Sequence, residues 1–117
     1  MAYDVIGALI PWLADGTGAG AYAAVPDPRP AEFITIERTG GSSSIGMDEP
    51  ELSIFCWSST VEGAHALALA VRDMLLLQAT ADLPEVCKAE CGSLFEYDDP
   101  ETEQPRFELD AWLVTRL

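Results

Sequence analysis

Few side chains in this sequence combine a reactive type with a usable spacing. His65 is the single histidine, and no Ser, Cys or Asp stands near it in a recognisable hydrolase motif. Its place in a helical pattern marks it as a surface residue. Cys56, Cys87 and Cys91 are an odd number without a CxxC pair. Cys87 and Cys91 fall in an expected strand, whose rise separates Cα atoms four residues apart by about 13 Å, beyond the roughly 7 Å reach of a disulfide. Reduced, mostly buried thiols are expected, and one His with these cysteines supplies too few ligands for a metal. Residues 15–20 (DGTGAG) invite a nucleotide-loop reading, yet no GK[ST] follows and no clear strand precedes them, so their glycines are expected to make a mobile turn. Residues 98–105 (DDPETEQP) carry Asp98, Asp99, Glu101 and Glu103 without the spacing or glycine of a calcium loop, which fits a solvated acidic loop. No catalytic residue, cofactor or metal is assigned.

Composition narrows the classes further. At 117 residues the chain is expected to form a single domain with one core and little room for a deep active site. Twenty acidic residues against 6 basic ones give a net charge of −14 on an ordinary hydrophobic content, which describes a folded acidic protein. Such a surface repels phosphate, although a passage through which DNA slides without sticking would favour acid. No signal peptide and no apolar run of about 18 residues is found, so neither secretion nor membrane spanning is expected.

The elements that would position these residues centre on residues 52–78 (LSIFCWSSTVEGAHALALAVRDMLLLQ). Leu52, Ile54 and Cys56 alternate with Ser53, Phe55 and Trp57, the period of a strand with one face on a core and aromatics on the other. Ser59 and Glu62 have the spacing of a capping box, which predicts a helix over 59–78. Past the cap, Ala64, Leu67, Ala68, Val71, Met74 and Leu75 form one stripe suited to covering a sheet. Leu69 and Leu76 lie off that stripe beside His65 and Arg72, as either a second contact surface or two isolated exposed leucines.

The flanking segments complete an α+β reading. Residues 2–13 suggest a short amphipathic helix presenting Val5, Ile6, Leu9 and Leu13, which Pro11 should kink or shorten. Residues 21–25 suggest a short strand, and Pro26, Pro28 and Pro30 a stiff extended linker. Residues 33–38 (FITIER) read as a strand, and residues 39–50, which include Ser43, Ile45 and Met47, as a flexible loop too long for a tight hairpin and suited to binding. Residues 79–84 make a turn, 86–91 a further strand, and 106–116 a long one with Phe107, Leu109, Ala111 and Leu113 on one face and Trp112 and Val114 on the other. A sheet whose second face carries Phe55, Trp57 and Trp112 should be covered by a partner.

This order of elements resembles the tail terminator proteins of long-tailed bacteriophages. The likeness is carried by Val25-Pro26-Asp27-Pro28-Arg29-Pro30 running into residues 33–41 (FITIERTGG), by residues 52–75, and by Arg106-Phe107-Glu108-Leu109 opening the last strand. It spans nearly the whole chain, and head-to-tail joining and completion proteins look alike at this level. Pro11 and the extreme acidity depart from the pattern. The resemblance implies an antiparallel sheet of four to five strands covered by a long helix and a short N-terminal helix. It also implies a six-fold ring made in a bacterial host's cytoplasm that caps the tail tube of a virion. Its partners would be other copies of itself, the major tail tube protein and a head completion or connector protein. DNA would pass through without being specifically bound, and no membrane would be involved. Candidate contact residues are Leu69, Leu76, Trp57, Trp112, Ser43, Ile45 and Met47, and candidate channel-lining acids are Asp98, Asp99, Glu101 and Glu103. An acidic ligand-binding module of non-viral role, such as a nucleotide binder using Gly16 to Gly20, and a small hydrolase are the alternatives from other classes.

Overall fold

The computed structural model describes residues 2–117. Two helices and a one-turn helix pack on one side of a five-stranded sheet: α1 Val5–Thr17, β1 Gly20–Tyr22, β2 Phe33–Ser44, β3 Met47–Trp57, α2 Val61–Leu77, α3 Ala79–Asp82, β4 Val86–Glu96 and β5 Arg106–Arg116. The strand order is β1-β2-β3-β5-β4. All neighbours are antiparallel except β1 and β2, which run parallel, so the sheet is mixed and not wholly antiparallel as expected.

Helix α2 crosses β3, β5 and β4, while α1 lies over β1 and β2 and beside α2. The stripe from Ala64 to Leu75 read from the sequence is the buried face of α2. It meets Leu52, Ile54 and Cys56 of β3 and Leu109, Ala111 and Leu113 of β5 in one core cluster. Each large aliphatic side chain buried there stabilises the fold by about 1.5–3 kcal/mol.

The N-cap of α2 lies one residue later than the capping-box spacing predicts. Thr60, not Ser59, accepts a hydrogen bond from the Gly63 N–H at 3.0 Å. Upstream, the Ser58 N–H donates to the Pro105 carbonyl just past the end of β3.

Pro11 does not break α1, which runs on to Thr17. An interior proline costs about 3 kcal/mol, and full burial of Leu9 and Leu13 on either side of it offsets that cost. The glycines that follow are structural rather than a mobile turn. Gly16 lies within α1 against the Met74 thioether, Gly18 ends the helix at φ 78°, and Gly20 opens β1.

Residues 39–50 are not a flexible loop. β2 and β3 stay paired through Ser44 and Met47, across a bulge between Arg38 and Gly40, and turn over Ile45 and Gly46, the latter at φ 81°. Strand β4 likewise runs five residues beyond the expected Cys91, through an irregularity between Cys91 and Leu94. The three cysteines are free as expected, but Cys87 is exposed rather than buried.

Candidate assembly surface

The helices leave the other face of the sheet without a helical cover, and strand parity decides what stands on it. Phe33, Thr35 and Glu37 of β2, Ser53, Phe55 and Trp57 of β3, Arg106, Glu108, Asp110 and Trp112 of β5, and Glu90 and Phe95 of β4 share this open face.

At one end the chain folds back over it. Trp57 stacks on Phe33 with ring centroids 5.0 Å apart and donates its indole N–H to the Thr35 hydroxyl at 3.0 Å. The Arg106 guanidinium lies 4.8 Å from the Trp57 ring, 4.5 Å from Phe55 and 4.9 Å from Tyr97. The Arg29 guanidinium, carried by the proline-rich segment, stands 5.3 Å above Trp57 and reaches Asp99 at 3.4 Å and Gln104 at 3.0 Å. Residues 26–30 are thus a strap over an indole. A cavity of about 470 Å³ remains between strap and acidic turn, with Val25, Phe55, Trp57, Arg29 and Arg106 in its wall.

Trp57, expected to face a partner, is therefore covered by its own chain and only 3% exposed. Asp99, expected among channel-lining acids, is buried as the centre of its turn. It accepts hydrogen bonds from the Glu101 N–H, the Thr102 hydroxyl and Arg29. The Thr102 hydroxyl foremost holds its carboxyl below the usual range. Asp98, Glu101 and Glu103 are exposed.

Beyond the strapped end the middle of the open face is half-buried and the far end exposed. Burial and the adjacent Asp110 push the Glu108 carboxyl up to about 7. Trp112 is 41% exposed and donates its indole N–H to Glu90 at 2.7 Å. Its ring lies across Gly92, where a Cβ would stand 2.8 Å from it.

The hairpin tip carries Ser43, Ile45 and Met47 at the end of the molecule away from Trp57. Arg38 forks onto Asp48 at 2.7 and 2.9 Å, and the Ser43 hydroxyl donates to the same carboxylate at 2.7 Å. The Arg38 fork, with help from Ser43, lowers the Asp48 carboxyl to about 2. Ile45 is 102% exposed, and Met47 and Leu117 stand exposed beside it.

On α2, Leu69 is half-buried and Leu76 exposed, while Leu77, 77% exposed, went unnoticed in the sequence although it continues the apolar run past the core stripe. Phe95 and Tyr97 were missed because they lie beyond the expected end of β4.

Reactive side chains are not brought together. His65 is exposed and stacks on Phe107 at 4.8 Å. Burial raises the thiol pKa of Cys56, and raises that of Cys91 to about 11. Among the described residues no three His, Cys, Asp or Glu gather as a metal site, and no helix is long and apolar enough to cross a membrane. The nucleotide-loop alternative fails on geometry, because Gly16 and Gly18 lie at the C-terminal end of α1, where carbonyls and the negative end of the helix dipole repel phosphate.

No protein-family model matches this sequence, and none of the curated proteins does. Among solved structures the chain is similar to one from the virion of a native gene transfer agent (GTA) particle. The two are 19% identical with a TM-score of 0.66, and the match covers 90% of this chain and 84% of that one. The two chains share a fold.

Proposed function

We propose that the chain is a structural subunit of a phage-type virion, a tail terminator or close relative that assembles as a ring on the tail tube and presents a surface to the head connector. The observation that carries this reading is the shared fold with a chain of a virion particle over nearly the full length of both. The resemblance carried by the proline-rich strap, the β3 to α2 segment and the start of β5 points the same way. The distribution of exposed apolar groups agrees with assembly: Ile45 and Met47 at the hairpin, Trp112 and Phe95 on the open face, and Leu76 and Leu77 at the end of α2 stand in three separate places, more than isolated surface residues require.

In this reading Asp98, Glu101 and Glu103 face the channel, where like charge keeps DNA from adhering. Partners are further copies of the chain, the major tail tube protein and a head completion or connector protein. No cofactor is involved.

The −14 charge makes a prediction of its own. Copies repel one another, and salt screens that repulsion, so multimers form more readily at high salt or on tail tubes. Sedimentation of the purified protein across salt concentrations, alone and with tail tubes, checks this. A protein that stays monomeric throughout and ignores tubes would falsify the proposal. One that forms rings but prefers isolated head connectors to tubes is a joining protein instead.

A further inference from the structure

The two tryptophans of the open face differ in the charge that meets their rings. Trp57 has two guanidinium groups against it, Arg29 at 5.3 Å and Arg106 at 4.8 Å. Trp112 has none among the described residues. Its indole N–H donates to Glu90, its ring lies across Gly92, and the side chain is 41% exposed.

Carboxylates frame that exposed ring. Its cross-strand neighbours are Glu51 on β3 and Glu90 on β4, and Asp110 stands two positions back on the same face of β5. Two hollows of about 320 Å³ each open beside the indole, one edged by Glu49 and Glu51 and the other by Glu51 and Asp110. Lys88 pairs with Glu90 at 2.7 Å, whereas Glu49, Glu51 and Asp110 enter no ion pair among the described residues.

An indole attracts a cation to its negative face, and unpaired carboxylates beside it attract the same cation by charge. A guanidinium fits both better than an ammonium does. It is planar and weakly hydrated, so it lies flat on the ring while its edge N–H groups fork onto a carboxylate. The strapped end shows this arrangement completed within the chain, where Arg29 covers Trp57 and reaches Asp99 at 3.4 Å.

The chain has little of this kind to offer to another copy of itself. Of its 6 basic residues, Arg29, Arg38, Arg72 and Lys88 are held in ion pairs, and Arg106 lies among Phe55, Trp57 and Tyr97. Arg116 is left, exposed at the end of β5.

We infer that Trp112 is the docking point for an arginine of a different, basic protein, stacked on the indole and paired with Glu51 and Asp110. The inference stands apart from the ring-subunit reading and is tested on unassembled protein. The probe is a glycine peptide with blocked ends that carries two arginines, titrated while the indole N–H resonance of Trp112 is followed by NMR. That resonance is the one lost in Trp112→Phe. The arginine peptide should move it at lower concentration than a lysine counterpart does. Trp112→Ala, at an exposed position, should weaken binding about two- to fivefold, the range of exposed cation–π contacts. Glu51→Gln with Asp110→Asn should weaken it by a similar factor, and Glu101→Gln with Glu103→Gln, which remove the same charge from the acidic turn, should not. An unmoved resonance, unchanged affinity in Trp112→Ala, or an equal loss from the acidic-turn pair would reduce the effect to general attraction by net charge and overturn the inference. A resonance that moves with protein concentration alone, and stops moving in Arg116→Ala, would make the occupant a second copy and overturn the foreign partner. Each of these outcomes leaves the ring reading to its own sedimentation test.

Discussion

Trp57 and Trp112 stand on the same face of the same sheet and live in different environments. Parity along β3 and β5 places both rings opposite the helices, yet one is 3% exposed and the other 41%. The difference comes from connections, not strands. The proline-rich strap brings Arg29 over Trp57, and the acidic turn anchors that arginine through Asp99 and Gln104, whereas over Trp112 no connection passes and its indole settles on Gly92 and Glu90. A sheet face is thus not covered or open as a whole. Half of this one is a small second core, and the other half is surface available to a partner.

The largest test of that contrast is to remove each ring. Trp57→Ala should lose about 3–5 kcal/mol of stability, as for other buried tryptophans, since it empties the floor beneath Arg29 and Arg106. Trp112→Ala should lose less than about 1 kcal/mol, as surface substitutions do. Urea denaturation of the two variants measures both values. Equal losses would mean that the strap does not protect Trp57 in solution.

A smaller effect should follow from loosening the strap while keeping the ring. Arg29→Ala removes a partly exposed ion pair, worth at most about 1 kcal/mol, and a cation–π contact of about 0.5–1 kcal/mol, so a loss of about 1–2 kcal/mol is expected. Acrylamide should then quench Trp57 fluorescence more readily, with a Trp12→Phe, Trp112→Phe background isolating the signal. Unchanged quenching would assign the cover to the acidic turn alone.

How much of this was legible in the sequence depended on where periodicity speaks. The core stripe of α2, the alternation of Leu52, Ile54 and Cys56, and the bounds of β5 could be read because burial enforces period 3.6 or period 2 on those residues. The hairpin could not, because Gly40, Gly41 and three serines have low strand propensity and both faces are polar. Its register is imposed from outside, by β5 pairing with Met47 and Asp48 and by the Arg38 fork. The burial of Trp57 was illegible for a different reason. Nothing local ties Arg29 to an indole 28 positions away, and three alternating prolines read as a linker whether or not they pack. The stacking of Arg106 on Phe55, Trp57 and Tyr97 was hidden with it.

The smallest expected effect lies between the two tryptophans, at Glu108. Its cross-strand neighbours are Phe55 and Phe95, which strip water from its carboxyl, and Asp110 adds like charge two positions along the same face. Together these push it up to about 7, against an ordinary value of 4.5. Between those values the folded chain holds a proton that the unfolded chain has released. The group's contribution to stability is therefore complete below about pH 4.5 and is lost as pH rises through 7. Asp48 and Asp99 shift downward instead, so they act below pH 4 and leave this window to Glu108. Glu108→Gln should flatten the fall in stability between pH 4.5 and 7. At pH 8 it should exceed the wild type by up to about 1 kcal/mol, a figure already reduced for the solvent that reaches the carboxyl. At pH 4, where wild-type Glu108 is neutral, the two should coincide. Urea midpoints at these pH values decide it. A variant that keeps the wild-type slope would locate the titration elsewhere, and would mean that the middle of the open face is as wet as the Trp112 end.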